Sequence, residues 1–205
     1  MQAKPIPKAI LDAALSASAV ESEVLNSERI EARFGSYGID ILIDSGDQRL
    51  ASLFSGSGSN RVCRTFASVR RQATSGDSID AEQADIARGR SIGARFRESG
   101  WTVAKRTLYA GALPLGRLID EVGRRMHLAE DVSVAIHAYQ LVLGRERQTI
   151  DYATIIEAHH PDYLTVDALP GLYRITAADD ATIAPREFDE LLLLMGLAKA
   201  PPEGP

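Results

Sequence analysis

Ile39, Ile41 and Ile43 alternate with Asp40, Leu42 and Asp44. A period of two puts the three isoleucines on one face of a strand. Residues 29–34 alternate in the same way through Ile30, Ala32 and Phe34, and Gly35, Ser36, Tyr37 and Gly38 supply turn residues between the two runs. The pattern predicts a hairpin. Ser45, Gly46 and Asp47 form the next turn. Residues 49–54 read as a third strand, 56–60 as a flexible loop and 61–70 as a fourth strand. Four short strands in succession predict an antiparallel meander.

After Gln72 the period changes. Ile79, Gln83, Ile86 and Ala87 recur at helical spacing, Ser78 is suited to cap the helix, and Asp80 and Glu82 fall in its first turn. Gly89 ends that helix, and Ser91-Ile92-Gly93 leads into a second helical piece over 94–99. Residues 101–109 read as strand and 115–126 as helix. Residues 132–143 (VSVAIHAYQLVL) are apolar at both parities, as in a central strand, and 149–159 form its hairpin partner across the turn at Gly144. A short helix containing Leu169 and Leu172 follows Thr165. Pro185 opens a last helix with Phe188, Leu191, Leu192 and Met195 on one side. At the N-terminus, Pro5 and Pro7 precede an amphipathic helix over 8–17, and the acidic residues 21–28 connect it to the rest. Residues 201–205 are expected to fray. The pattern predicts an α+β fold: an antiparallel sheet of about six or seven strands with helices on one face. Residues 28–175 make the main domain. Residues 1–27 (helix and connector) and 176–205 (last helix and tail) pack on it.

With 205 residues, 45% of them hydrophobic and 25% charged, the chain can bury a core without staples. A net charge of -5 gives no electrostatic reason to expect nucleic acid or an anionic membrane as partner. The single cysteine, Cys63, excludes an internal disulfide and a thiolate zinc site, and is read as a small buried hydrophobe. No apolar run approaches the ~20 residues of a membrane span, and the N-terminus makes a poor signal peptide, so a cytoplasmic protein is expected.

Candidate chemistry concentrates in residues 152–163 (YATIIEAHHPDY). Along a strand, Ala153, Ile155, Glu157 and His159 share a face, so burial would raise the carboxyl pKa of Glu157 and suit it to proton transfer. His159, His160, Asp162 and His137 are potential metal ligands, but neighbouring strand histidines point to opposite faces. The expected reading is local hydrogen bonding and no metal. The glycine-framed turn from Gly89 to Gly93 either offers backbone N–H groups to an anion or simply joins two helices. Arg64 shares a face with Val62 and Phe66 and, if it points inward, needs an anion.

Three segments, in order and at the right approximate spacing, resemble the chorismate lyase family and the related effector-binding domains of bacterial transcription regulators. Residues 64–71 (RTFASVRR) look like the strand before that family's first long helix. Residues 84–96 (ADIARGRSIGARF) look like its helix, its Gly-x-x-(Leu/Ile)-Gly turn and a second helical piece. Residues 154–161 (TIIEAHHP) look like its terminal strand, where a glutamate precedes a proline by four. The likeness spans residues 50–163. It implies a buried pocket under helical flaps that holds a small aromatic or enol carboxylate. The strand glutamate carries over to Glu157, and the turn to Ile92 with Gly93. The implied arginine belongs in a strand that here reads Leu50-Ala51-Ser52-Leu53; Arg49 and Arg64 lie near it, and Arg64 is assigned as the anion clamp with Ile92. His159 is a further ligand contact. The implied reaction is cofactor-free elimination of pyruvate from chorismate to give 4-hydroxybenzoate, with Glu157 as the proton-transfer group. Two other functions fit the same fold. One is a non-catalytic ligand sensor working with a separate DNA-binding chain. The other is an interaction protein that docks or homodimerises through its last helix.

Overall fold

The computed structural model describes residues 5–22, 24–72, 79–175 and 183–199. Among them are seven strands: β1 (Ala19–Glu21), β2 (Gly38–Asp44), β3 (Gln48–Ser55), β4 (Val62–Arg71), β5 (Thr102–Pro114), β6 (Ser133–Arg145) and β7 (Gln148–His159). They form one sheet in the order β1-β5-β6-β7-β4-β3-β2, with every pairing antiparallel. Two meanders, β2-β3-β4 and β5-β6-β7, lie side by side and are joined where β4 pairs with β7. That long-range pairing sets Ala67 opposite Glu157 and Val69 opposite Ile155. The α+β class and the antiparallel sheet are as the sequence pattern predicts.

Residues 29–34 are not a strand. They belong to a helix, α2 (Asn26–Phe34), which follows α1 (Lys8–Ser16). Glu, Arg and Ala dominate this stretch, and they favour helix over strand. The Glu28 carboxylate accepts the Leu25 backbone N–H at 2.7 Å, and Gly35, at φ 74°, ends the helix by donating its N–H to the Glu31 carbonyl. Asn26 and Ile30 are buried and Phe34 half-buried, while Ala32 is exposed, so the inward spacing is four, not two. The first predicted hairpin therefore does not form, and the N-terminal meander has three strands. Between α1 and the acidic connector lies β1, an edge strand of three residues paired with β5.

The remaining helices are α3 (Asp80–Ala87), α4 (Ile92–Glu98), α5 (Asp120–Met126), α6 (Leu169–Tyr173) and α7 (Pro185–Leu194). The expected helix over 115–126 divides into a 3-10 turn, Leu115–Arg117, and α5. Ser78 and residues 201–205, read as cap and frayed tail, lie outside the described residues.

Helices cover both faces of the sheet rather than one. Phe66, Ile136, Ala138, Ile156 and Ala158 pack with Ile10 and Ala14 of α1, Val122 and Met126 of α5, and Leu191 and Leu192 of α7. Val69, Tyr139, Leu141 and Ile155 have the opposite parity and pack with Ile86 of α3 and Phe96 of α4. Ile30 of α2 and Tyr173 of α6 close the second face beside Ala135. A strand apolar at both parities, such as β6, has to be covered on both sides. Cys63 is buried in the first layer, where desolvation pushes its thiol up to about 12.

Candidate functional site

The second face carries a partly open cavity of about 90 Å³. Its floor comes from β2 to β7, and its cover from α2 and from the turn between α3 and α4. Glu157 sits in the floor near the end of β7. Ile92 and Gly93 sit in the cover, at the start of α4. Two glycines shape that cover. Gly89 leaves α3 at φ 103°, a conformation that side chains disfavour. A Cβ on Gly93 would meet the Leu25 Cδ2 at 2.7 Å, so glycine lets α4 approach the chain entering α2.

Glu157 is 6% exposed and heavily hydrogen-bonded. Its Oε1 accepts from Asn26 Nδ2 at 2.7 Å, its Oε2 lies 3.4 Å from Lys105 Nζ, and the Tyr139 hydroxyl also donates to it. Asn26 is itself fixed. Its Oδ1 accepts from Arg29 at 2.6 Å and from the Tyr163 hydroxyl at 2.9 Å, so its NH₂ is left to face Glu157. Burial by itself would raise the carboxyl pKa of Glu157. Lys105, His159 and Arg29, together with the Tyr139 hydrogen bond, outweigh burial and leave the pKa below its usual value. The expected upward shift is therefore reversed, and Glu157 is a buried, ionised carboxylate.

Lys105 is as buried as its partner, and its ammonium lies 4.0 Å from the Tyr139 ring centroid and 4.7 Å from that of Tyr173. His159 adjoins the group without lining the cavity. Its Nδ1 shares a hydrogen bond with Thr65 Oγ1 at 3.0 Å, and its Nε2 lies 3.8 Å from Glu157 Oε2. Burial lowers its pKa to about 4, so the ring is neutral near pH 7. His160 points away and accepts the Asp162 backbone N–H, and His137 bonds Thr107.

Arg64 is not at this cavity. Leu53 pairs with Thr65 and Phe54 with Cys63, so Arg64 is the extra residue of a bulge in β4. The bulge returns Cys63 to the Phe66 layer and turns Arg64 to the strand end. There it donates to Ser55 Oγ, lies over the Phe34 ring at 3.9 Å and sits 3.6 Å from Asp162. The arginine of the cavity is Arg49, one residue before the stretch where the resemblance would put it. It is 1% exposed. Its NH1 donates to the Ile86 carbonyl at 2.9 Å, while its NH2 is buried with no hydrogen-bond partner. The main electrostatic counterweight, Asp44, is engaged by both terminal nitrogens of Arg71. A guanidinium does not shed its proton, so a buried positive charge faces the cavity with a donor to spare. Tyr37 and Ser91 line the same end.

The register gives the scale. Arg49 pairs with Val69 and Val69 with Ile155, two residues before Glu157. Two strand spacings across and two residues along separate the Cα atoms of Arg49 and Glu157 by roughly 12 Å. Their side chains reach into that gap from either end.

Sequence reasoning missed Asn26 because its helix was read as connector and strand. Lys105 was missed because a lysine in a strand usually marks a solvated face. The signal for Asn26 was a run of helix formers, Glu28 to Arg33, ended by glycine. Among the described residues no three His, Cys, Asp or Glu side chains gather as metal ligands, and no helix is long and apolar enough to cross a membrane. No family model matches the chain, and no curated protein matches it.

Proposed function

We propose that the chain binds a small ring carboxylate in this cavity. The carboxylate meets Arg49, and a hydroxyl or enol ether oxygen at the far end meets the Glu157–Lys105 pair. The observation that carries this reading is the buried, unpartnered NH2 of Arg49 on the same cavity as Glu157. A buried charge is costly unless it is paired, and a carboxylate ligand is the simplest partner. The size agrees. A cavity of about 90 Å³ falls below the ~300 Å³ at which drug-sized sites begin, which favours one ring with short substituents. Glu157 can accept about four hydrogen bonds. Asn26, Lys105 and Tyr139 use three, which leaves one for a ligand hydroxyl.

A second reading, a cofactor-free lyase on a chorismate-type substrate, is favoured by the convergence of Glu157, an arginine and the Ile92–Gly93 turn on one cavity, the set the resemblance implies. In that reaction the ring carbon bearing the hydroxyl loses its proton as the neighbouring ether C–O bond breaks. The ring becomes aromatic, and the enolpyruvyl group takes up a proton and leaves as pyruvate. A carboxylate whose pKa is lowered is less suited to take a proton from carbon, so the geometry supports binding more directly than proton abstraction from the ring.

Two experiments divide the readings. A thermal-shift screen over aromatic and enol carboxylates is expected to find a stabilising ligand, worth about 2.7 kcal/mol at 100 times its Kd. Incubation with chorismate at high protein concentration, with detection of pyruvate, tests the lyase. Binding without pyruvate release leaves a binding domain, and no stabilisation by any of these acids rejects the site.

A further inference from the structure

We propose that Lys105 is a covalent carbonyl-binding residue, whose ε-amine condenses with a small 2-oxo acid in the cavity to form an imine. The proposal rests on the carboxylate-binding reading for the anchoring of that acid. Composition gives the first argument. The lysines of the chain are Lys4, Lys8, Lys105 and Lys199, and the other nineteen of its 23 basic residues are arginine. As a fixed partner for Glu157, arginine would give two parallel hydrogen bonds and a permanent charge. Lysine is the basic residue that can release its proton and act as a nucleophile. In a chain that otherwise uses arginine heavily, one lysine among the described residues stands in the sheet, and it stands at the cavity.

Lys105 borders two hollows, the inner cavity and a wider one of about 360 Å³ lined also by Ser22, Arg29 and Tyr173. Lys105 is 8% exposed and yet lines both hollows, so a small ligand in either one can lie beside it. Its Nζ lies 3.4 Å from Glu157 Oε2, so donor and proton acceptor are already in place. Burial lowers its pKa. Glu157 opposes that shift and the positive charge of Arg29 adds to it, and the net result is an ammonium that gives up its proton more readily.

The step balances without an oxidant or a cofactor. In a transient minor state the Lys105 ammonium passes its proton to Glu157, against the pKa order that favours the resting ion pair, and the free amine attacks the ketone carbon. A C–N bond forms, and a proton moves from nitrogen to the carbonyl oxygen to give a carbinolamine. Glu157 returns its proton to that hydroxyl, which leaves as water. The product is an iminium ion whose positive charge lies beside the regenerated carboxylate. The carboxylate of the oxo acid points into the cavity on the Arg49 side, where the guanidinium attracts it across the remaining gap without direct contact.

The test traps the imine by reduction. The full chain is incubated with pyruvate, or separately with glyoxylate, in the presence of cyanoborohydride, and the adduct is mapped by peptide mass spectrometry. The expected result is one adduct per chain, on Lys105, absent in Lys105→Arg and suppressed by 4-hydroxybenzoate. No adduct, or label only on the N-terminus, Lys4, Lys8 and Lys199, overturns the proposal; mapping the wild-type chain needs no variant to fold. If 4-hydroxybenzoate stabilises the protein but neither oxo acid is trapped, the imine fails and the carboxylate site stands. If Lys105 is trapped equally well in Arg49→Met, the amine is right and the Arg49 anchor is wrong.

Discussion

Arg49 and Glu157 carry opposite charges into one cavity, and their replacement should have opposite effects. Arg49 lacks an ion-pair partner among the described residues, so Arg49→Met removes an uncompensated buried charge. The variant is expected to melt no lower than wild type without ligand, yet to bind small carboxylates roughly 10- to 100-fold more weakly, as loss of a charged hydrogen bond of about 1.5–3 kcal/mol requires. Glu157 already has a partner. Glu157→Gln strands Lys105 and should destabilise the fold by up to about 3–5 kcal/mol, less whatever Lys105 recovers by losing its proton. Denaturant unfolding of both variants checks the contrast; a Glu157→Gln protein more stable than wild type would make that carboxylate a buried liability. At this scale the sequence identified Glu157, Ile92 and Gly93 as candidates, and the fold does bring them to one cavity. It misassigned the arginine because a bulge is invisible to simple alternation: one extra residue at Arg64 reverses the parity of everything before it.

Helix α2 supplies Asn26, and hence the orientation of Glu157. Its start depends on the Glu28 carboxylate that accepts the Leu25 N–H. Glu28→Ala should cost about 1 kcal/mol, as loss of a cap does, and should weaken carboxylate binding as well, because Leu25 and Asn26 both line the cavity. A matched pair of melting curves, with and without ligand, separates the two effects. Misreading this helix as a strand has a physical cause. Ile30, Ala32 and Phe34 alternate by coincidence, and six residues are too few for the period to decide between two and 3.6. Longer elements were legible, among them the β6–β7 hairpin and helix α7, because their patterns extend over ten residues or more.

The whole molecule carries the cost of its buried histidines. His159 titrates at about 4 in the fold against 6.5 in the unfolded chain, and burial likewise holds His137 well below its usual value. The unfolded chain therefore binds more protons than the folded one between those values. The stability these groups contribute is complete above pH 6.5 and is lost as pH falls towards 4. Glu157, with its lowered pKa, adds a further loss below its unfolded value near 4.5. Urea unfolding at pH 7.5 and pH 5.0 should give a lower midpoint at pH 5.0; equal midpoints would mean that the rings are not buried neutral. The double covering of the sheet could be anticipated from residues 132–143, apolar at both parities, which leave neither face for solvent. The pairing of β4 with β7, which assembles the cavity floor, could not, because it joins strands more than eighty residues apart through contacts that no local pattern encodes.

The central claim is that a buried arginine awaits a carboxylate. Calorimetric titration of wild type with 4-hydroxybenzoate and with 4-hydroxybenzamide, which has nearly the same shape without the charge, tests it most directly. The acid is expected to bind at least tenfold more tightly than the amide, with that preference lost in Arg49→Met. Equal affinity for the two, or a preference that survives in Arg49→Met, would contradict it.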